Sequence, residues 1–237
     1  MKFPIGCLTC VGEGKKDFSI HLLDANNEGV YQIVCSYGHK TTAVFQQPRF
    51  CILAEMGVVA FRDAYYRESI FNFSSCMERF MEYYVQVITT DMNIQPQCYD
   101  STWKNMARQS ERQMGAFLAT YMIATKSSPP VLSSHLFELR NNVVHRGYIP
   151  SSDDAKKYAE AVLEIVTKEY KNLQLQHSRG VGLLLARRKE EMNAKYSPDR
   201  DAAVIGWNTI IDHIINGSYN FDSYLEFLNW THIGTDK

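Results

Sequence analysis

Near Phe50 the period of the hydrophobic pattern changes, and this change constrains the fold more than any other feature of the chain. Before it, apolar residues alternate, as in Phe18-Ser19-Ile20-His21-Leu22-Leu23 and Val30-Tyr31-Gln32-Ile33-Val34. Successive side chains of a strand point to opposite faces, so alternation is a strand signal. The intervening Asp24-Ala25-Asn26-Asn27-Glu28-Gly29 is rich in residues that tolerate turns. The two runs therefore read as one hairpin. After Phe50 the spacing becomes helical: Met77, Phe80, Met81 and Tyr84 fall at i, i+3, i+4 and i+7.

The helical part divides at its breakers. Ile52 to Thr89 reads as one long helical region with a break near Asn72-Phe73-Ser74, and Asp91 to Asp100 as a loop holding Pro96. A second helix is expected over Ser101 to Ala124, with Met106, Met114, Phe117, Leu118 and Tyr121 on its apolar side. Ser127-Ser128-Pro129-Pro130 ends it. A short third helix covers about Val131 to His145. A fourth starts at Ser151, whose spacing to Asp154 forms a capping-box variant. Its apolar face is Ala155, Tyr158, Ala159, Val162, Ile165, Val166 and Tyr170. Further helices are expected over Val181 to Lys195 and Ala202 to Asn216, with Pro198 between them, and an aromatic end over Phe221 to Trp230. The fold class is mainly α, with boundaries at 1–48 for the hairpin segment, 50–175 for the helical bundle and 180–237 for a C-terminal helical extension.

Composition narrows the function classes. A net charge of -1 over 237 residues provides no global attraction to nucleic acid or anionic membrane, so any RNA site must be a local patch. No apolar run approaches the roughly 18 residues of a membrane span. Met1 to Cys7 lacks the apolar stretch of a secretory signal. The expected location is cytoplasmic, where six cysteines are metal ligands or packing residues rather than a disulfide scaffold.

Four residues carry a metal signal. Cys7-Leu8-Thr9-Cys10 is followed by Cys35-Ser36-Tyr37-Gly38-His39, with the expected hairpin between the pairs. Zinc takes four thiolate or imidazole ligands in a tetrahedron. A small hairpin is marginal alone and needs such a staple. Gly38 permits the tight turn that aims Cys35 and His39 at one ion. Cys7, Cys10, Cys35 and His39 thus read as a closed structural zinc site with no position for catalysis. His21 competes as a ligand but lies within a strand. Cys51, Cys76 and Cys98 sit in or beside apolar runs and read as packing residues.

A second signal lies at the end of the third helix, Glu138-Leu139-Arg140-Asn141-Asn142-Val143-Val144-His145-Arg146-Gly147-Tyr148-Ile149-Pro150. Leu136, Leu139 and Val143 make its core face. Residues five apart on a helix are rotated by roughly 140°, so Arg140 and His145 share a face only if the helix is ending. Gly147 and Pro150 mark an end. Helix-terminal carbonyls there favour a protonated imidazole. An imidazole, an Arg and Asn141 side by side suit phosphoryl transfer without a metal. The structural alternative has Arg140 capping carbonyls or pairing with Glu138, and His145 bonded to local backbone. Arg146, Lys156 and Lys157 can extend a basic patch toward an RNA backbone, or simply form a solvated face. His135, His177, His213 and His232 lack such neighbours and read as structural or surface residues.

The stretch Asn141 to Pro150, followed by the helix of Asp154 to Val166, resembles the HEPN superfamily. The helical order is similar too, as two pairs over about 52–124 and 131–172. The resemblance leaves out the N-terminal ribbon and the residues after Gly180. The family's motif, an Arg and a His with four residues between them and a polar residue after the Arg, is matched at Arg140, Asn141 and His145. The resemblance implies a four-helix bundle and a metal-independent endoribonuclease acting as a homodimer, with two motifs facing one cleft. It implies His145 as general acid or base, Arg140 as the phosphate ligand and Asn141 as the orienting group. The products would be a 2′,3′-cyclic phosphate and a 5′-hydroxyl. Many family members are toxins or antiviral, phage-defence effectors. A protein partner that inhibits or activates the enzyme fits that setting. Other members keep the fold and only bind or scaffold.

Overall fold

The computed structural model describes residues 1–15, 20–196, 203–205 and 208–232. The chain is mainly helical, with small sheets at the N-terminus. Two compact units form, one from Met1–Gln47 and Gly182–Trp207, the other from Pro48–Val181 and Asn208–Lys237. Residues 180–237 are therefore divided between the units rather than kept together as one extension.

In the first unit, β1 (Lys2–Gly6) leads into a short helix α1 (Leu8–Gly12), followed by β2 (Ile20–Asp24), β3 (Val30–Val34) and β4 (Lys40–Phe45). Both expected strands form, but they do not pair with each other. β2 pairs antiparallel with β1, placing His21 opposite Ile5. β3 pairs antiparallel with β4, placing Ile33 opposite Thr41. The reason lies in the link. Asn26 Oδ1 accepts from the backbone N–H groups of Glu28 and Gly29, and Gly29 adopts a positive φ of 65°. This corner carries the chain from one sheet into the other instead of folding it back. Phe18 and Ser19 of the expected first strand lie outside the described residues.

The second unit is built around a long central helix. α2 (Arg49–Arg62) and α3 (Tyr66–Asp91) are separated at Asp63–Tyr65, where Ala64 has φ 62°. The expected break near 72–74 does not occur. Phe73 is fully buried there, and Ser74 spends its hydroxyl on the Ile70 carbonyl and the Tyr158 phenol. The two helices run antiparallel and approach closely. Ser69 Oγ donates to the Gly57 carbonyl at 2.9 Å, and a Cβ on Gly57 would fall 2.8 Å from the Phe73 ring. Phe50 packs edge-on to Phe80 and Tyr170, closing the far end.

α4 (Pro96–Met106) and α5 (Ser110–Thr125) replace the expected single helix. Pro96 starts α4 instead of sitting in a loop, since the first helical turn needs no N–H from it. Buried Gln113 holds the break: its amide donates to the Ala107 carbonyl, and its oxygen accepts from Arg79. α6 (Ser134–Arg146) and α7 (Ser152–Gln176) follow. The Ser151–Asp154 capping box forms as expected. Ala155, Tyr158, Ala159, Val162, Val166 and Tyr170 are buried on α7. α2, α5, α6 and α7 all pack against α3.

α8 (Ser178–Tyr196) extends the expected helix by a few residues at its start. The expected helix from Ala202 does not form as such. Residues 203–205 (Ala-Val-Ile) make β5, parallel to β4, and α9 is only Ile210–Ile215. β-branched residues favour the strand, and a Thr209–Asp212 capping box starts the helix later. α10 (Phe221–His232) ends the described chain, and Phe221 packs on Phe61 and Phe73. Ala202 and Pro198 lie outside the described residues. Among the described residues, no helix is long and apolar enough to cross a membrane.

Candidate functional site

Two constellations carry chemistry, one in each unit. In the first unit, Cys7 precedes α1, Cys10 lies within it, and Cys35 and His39 bracket the β3–β4 turn. That turn is closed by the Cys35 N–H to the His39 carbonyl and the Gly38 N–H to the Cys35 carbonyl. Gly38 has φ 80°, as the sequence requires of it. The four ligand atoms lie within 4.8 Å of one another. Cys10 Sγ is 3.6 Å from Cys35 Sγ and 3.3 Å from His39 Nδ1, and Cys7 Sγ is 3.8 Å from the same nitrogen.

The Cys10–Cys35 and Cys7–His39 separations match the edges of a zinc tetrahedron, roughly 3.5–3.8 Å for bond lengths near 2.0–2.3 Å, and the Cys10–His39 separation is slightly shorter. All three cysteines are buried. Burial opposes ionisation of Cys7, but bonds from the Cys10 backbone and the Thr41 hydroxyl outweigh it and lower its pKa to about 6. Burial and the sulfur of Cys35 push Cys10 up to about 12. A thiolate is thus favoured at Cys7 and opposed at Cys10, and a central divalent cation relieves that conflict. His21, the competing candidate, stands on β2 outside the cluster. Of the cysteines read as packing residues, Cys51 and Cys76 are buried, but Cys98 is exposed. It lies five residues from buried Trp103 on α4, turned to the opposite side of that helix.

In the second unit, the stretch ending α6 places Arg140 and His145 in contact. Arg140 Nη1 lies 3.2 Å from His145 Nε2 and donates to Asn141 Oδ1 at 3.1 Å. The helix does not end before His145, since it continues to Arg146. The length of the Arg side chain, rather than an early helix end, brings the pair together. Gly147 then closes the helix at φ 71°, and the Tyr148 N–H returns to the Asn142 carbonyl, a six-residue closure. A guanidinium can only donate. A hydrogen bond in this contact has imidazole Nε2 as its acceptor, which is the arrangement of the Nδ1–H tautomer.

Sequence reasoning missed two partners. Arg140 Nη2 donates to Glu78 Oε1 of α3 at 2.8 Å, so Glu78 rather than Glu138 is the acid that fixes it. Arg67, also on α3, reaches the Val143 carbonyl at 3.5 Å. Neither lies near the motif in sequence, and only helix packing unites them. Of the guanidinium's five N–H groups, these contacts use three. Arg140 is half-buried, while His145 is exposed at the surface.

The basic extension is less concentrated than its sequence suggests. Arg146 bonds Asn142 at 3.2 Å. Lys156 Nζ lies 2.6 Å from Asp222, and Lys157 Nζ 2.6 Å from Asp153. Of the remaining histidines, His135 is exposed, His177 pairs with Asp91 at 2.8 Å, and His213 packs among Tyr219, Tyr224 and Phe227. The side chain of His232 lies outside the described residues. No family model matches the chain, and neither a curated protein nor a solved structure matches it.

Proposed function

We propose that the chain is a HEPN-like, metal-independent endoribonuclease, with Arg140, Asn141 and His145 as its reacting groups. The observation that carries this reading is the contact of Arg140 Nη1 with Nε2 of an exposed His145. It sets an imidazole nitrogen at the surface, beside a guanidinium held by Glu78. A scissile phosphate entering there would compete with Nε2 for the guanidinium and free that nitrogen. His145 then accepts the 2′-hydroxyl proton as the 2′-oxygen attacks phosphorus. The P–O5′ bond breaks, and the 5′-oxygen takes a proton from a second imidazole, His145 of another copy in a homodimer, which enters the reaction as the imidazolium and leaves it neutral. Arg140 neutralises the phosphate through the N–H released from His145 and its two unused N–H groups, a role in which its planar fork surpasses Lys. A toxin or phage-defence setting follows from the same resemblance, with an inhibiting or activating protein partner. Zinc would sit at Cys7, Cys10, Cys35 and His39, hold the ribbon together and leave no open position for chemistry.

A second reading is a HEPN-like module that binds a partner protein, nucleotide or nucleic acid without cleavage. The pairing of Arg140, Lys156 and Lys157 with Glu78, Asp222 and Asp153 favours it, since each acid cancels positive charge that RNA would use.

The test is cleavage of total cellular RNA in EDTA, with zinc content checked by elemental analysis before and after. Wild type should leave 2′,3′-cyclic phosphate ends, and His145→Ala should lose on the order of 10²–10⁴ in rate. Equal cleavage by His145→Ala removes the assignment. Binding without cleavage by either protein transfers the case to the second reading.

A further inference from the structure

The buried face of α7 contains one acid that no other part of the protein explains. Glu169 is only 3 % exposed, between Val166 and Leu173 on a helix face that is otherwise apolar. Its carboxylate accepts a bond from Asn172 at 3.3 Å and is hydrogen-bonded to the Tyr121 phenol, and among the described residues it has no cationic partner. Burying a carboxylate with only neutral donors costs free energy that a positive partner would offset.

Glu169 lines a cavity of about 330 Å³ enclosed by α3, α5 and α7. Tyr84 and Tyr121 form a second wall, stacked at 5.5 Å between ring centres with 29° between planes. Both phenols stay protonated, since burial raises their pKa values and nearby charge adds to it. Asn172 and Thr125 add polar atoms, and exposed Thr125 marks the open side. His177 at the rim is already matched by Asp91 at 2.8 Å. The volume is at the lower end of the small-molecule range. A carboxylate behind aromatic faces is the arrangement that attracts organic cations.

We propose that this cavity binds a small organic cation, an amidinium, guanidinium or primary ammonium group on a compact apolar body, with Glu169 as its counter-charge and Tyr84 and Tyr121 as its aromatic wall. The site is independent of Arg140 and His145 and stands whether or not the protein cleaves RNA.

The experiment is calorimetric titration of the full chain with benzamidinium, with neutral benzamide as the isosteric control. Binding is located by NMR shifts of residues on α5 and α7. Benzamidinium should bind with a stoichiometry of one. Benzamide should bind on the order of 10- to 100-fold more weakly, the range for loss of one charge-assisted contact. Glu169→Gln should weaken benzamidinium to the benzamide level, and Ala124→Met should abolish binding by filling the cavity. Far-UV circular dichroism confirms the fold of each variant. If Glu169→Gln does not fold, the benzamide comparison and Ala124→Met decide the matter. No benzamidinium binding, equal affinity for the neutral control, or unchanged affinity in a folded Glu169→Gln would each overturn the proposal.

Discussion

The substitution Glu55→Gln should reverse sign in its effect on stability as the pH is raised. Glu55 lies on α2, 4 % exposed. One carboxylate oxygen accepts the Ile210 N–H at 2.9 Å, and the Tyr224 hydroxyl donates to both oxygens at 2.9 and 3.1 Å. It thereby ties α9 and α10 to α2. Burial raises its pKa from 4.5 to about 7; the bonds from Ile210 and Tyr224 oppose the rise, Asp212 adds to it, and Arg62 weakly opposes it. The folded state therefore holds this proton more tightly than the unfolded state. The contribution to stability is full below about pH 4.5 and is lost as the pH rises toward 7. Linkage puts the loss between pH 5 and pH 8 at roughly 2–3 kcal/mol. Gln keeps an acceptor for Ile210 and Tyr224 but carries no charge. Near pH 5 the variant should be equal to wild type or slightly less stable. At pH 8 it should be more stable by about 2 kcal/mol. The assay is urea unfolding of both proteins at several pH values, where other titrating groups cancel in the difference. A wild-type-minus-variant difference that stays flat from pH 5 to 8 would refute the argument.

Three other outcomes test separate parts of the fold. Gly57→Ala drives a methyl into the Phe73 ring and should cost about 1–3 kcal/mol in urea unfolding, whereas no loss would mean that α2 and α3 separate easily. Ser151→Ala removes the hydroxyl half of the capping box, leaving the backbone N–H of residue 151 on Asp154, and should cost on the order of 1 kcal/mol, with a thermal scan showing no change if α7 is held by its core face alone. Cys35→Ser should abolish binding of one zinc ion per chain, while far-UV helicity is largely retained because α2 to α7 form their own core; full zinc content in the variant would exclude the four-ligand site.

Parts of the candidate sites were legible because their geometry is local. Cys35 to His39 closes within one turn, so the need for Gly38 at positive φ can be read from spacing. Arg140, Asn141 and His145 lie within six consecutive residues of one helix, and their contact needs only the reach of an Arg side chain. Glu78 was not legible, because it lies on a different helix and nothing in its own neighbourhood marks it. The buried acids Glu55 and Glu169 left only a faint trace, a charged residue on an otherwise apolar helix face. Such a residue can also snorkel or lie at the edge of a core, so its burial is settled by what packs above it. Cys98 shows the reverse error, since an apolar neighbourhood in sequence became an exposed position once α4 began at Pro96.

Taken by itself, the amino-acid sequence determined the change of period near Phe50, the ends of α6 and α7 with Gly147 and Ser151, and the two knuckles of a four-ligand cluster. Each depends on forces between residues a few positions apart: side-chain alternation, capping and turn sterics. Tertiary structure alone decided that β2 pairs with β1 and not with β3, that residues 203–205 join β4, and that Glu78 meets Arg140. Those choices compare pairings across the whole chain. Local patterns that are equally good for several partners cannot rank them, and burial of the shared core does.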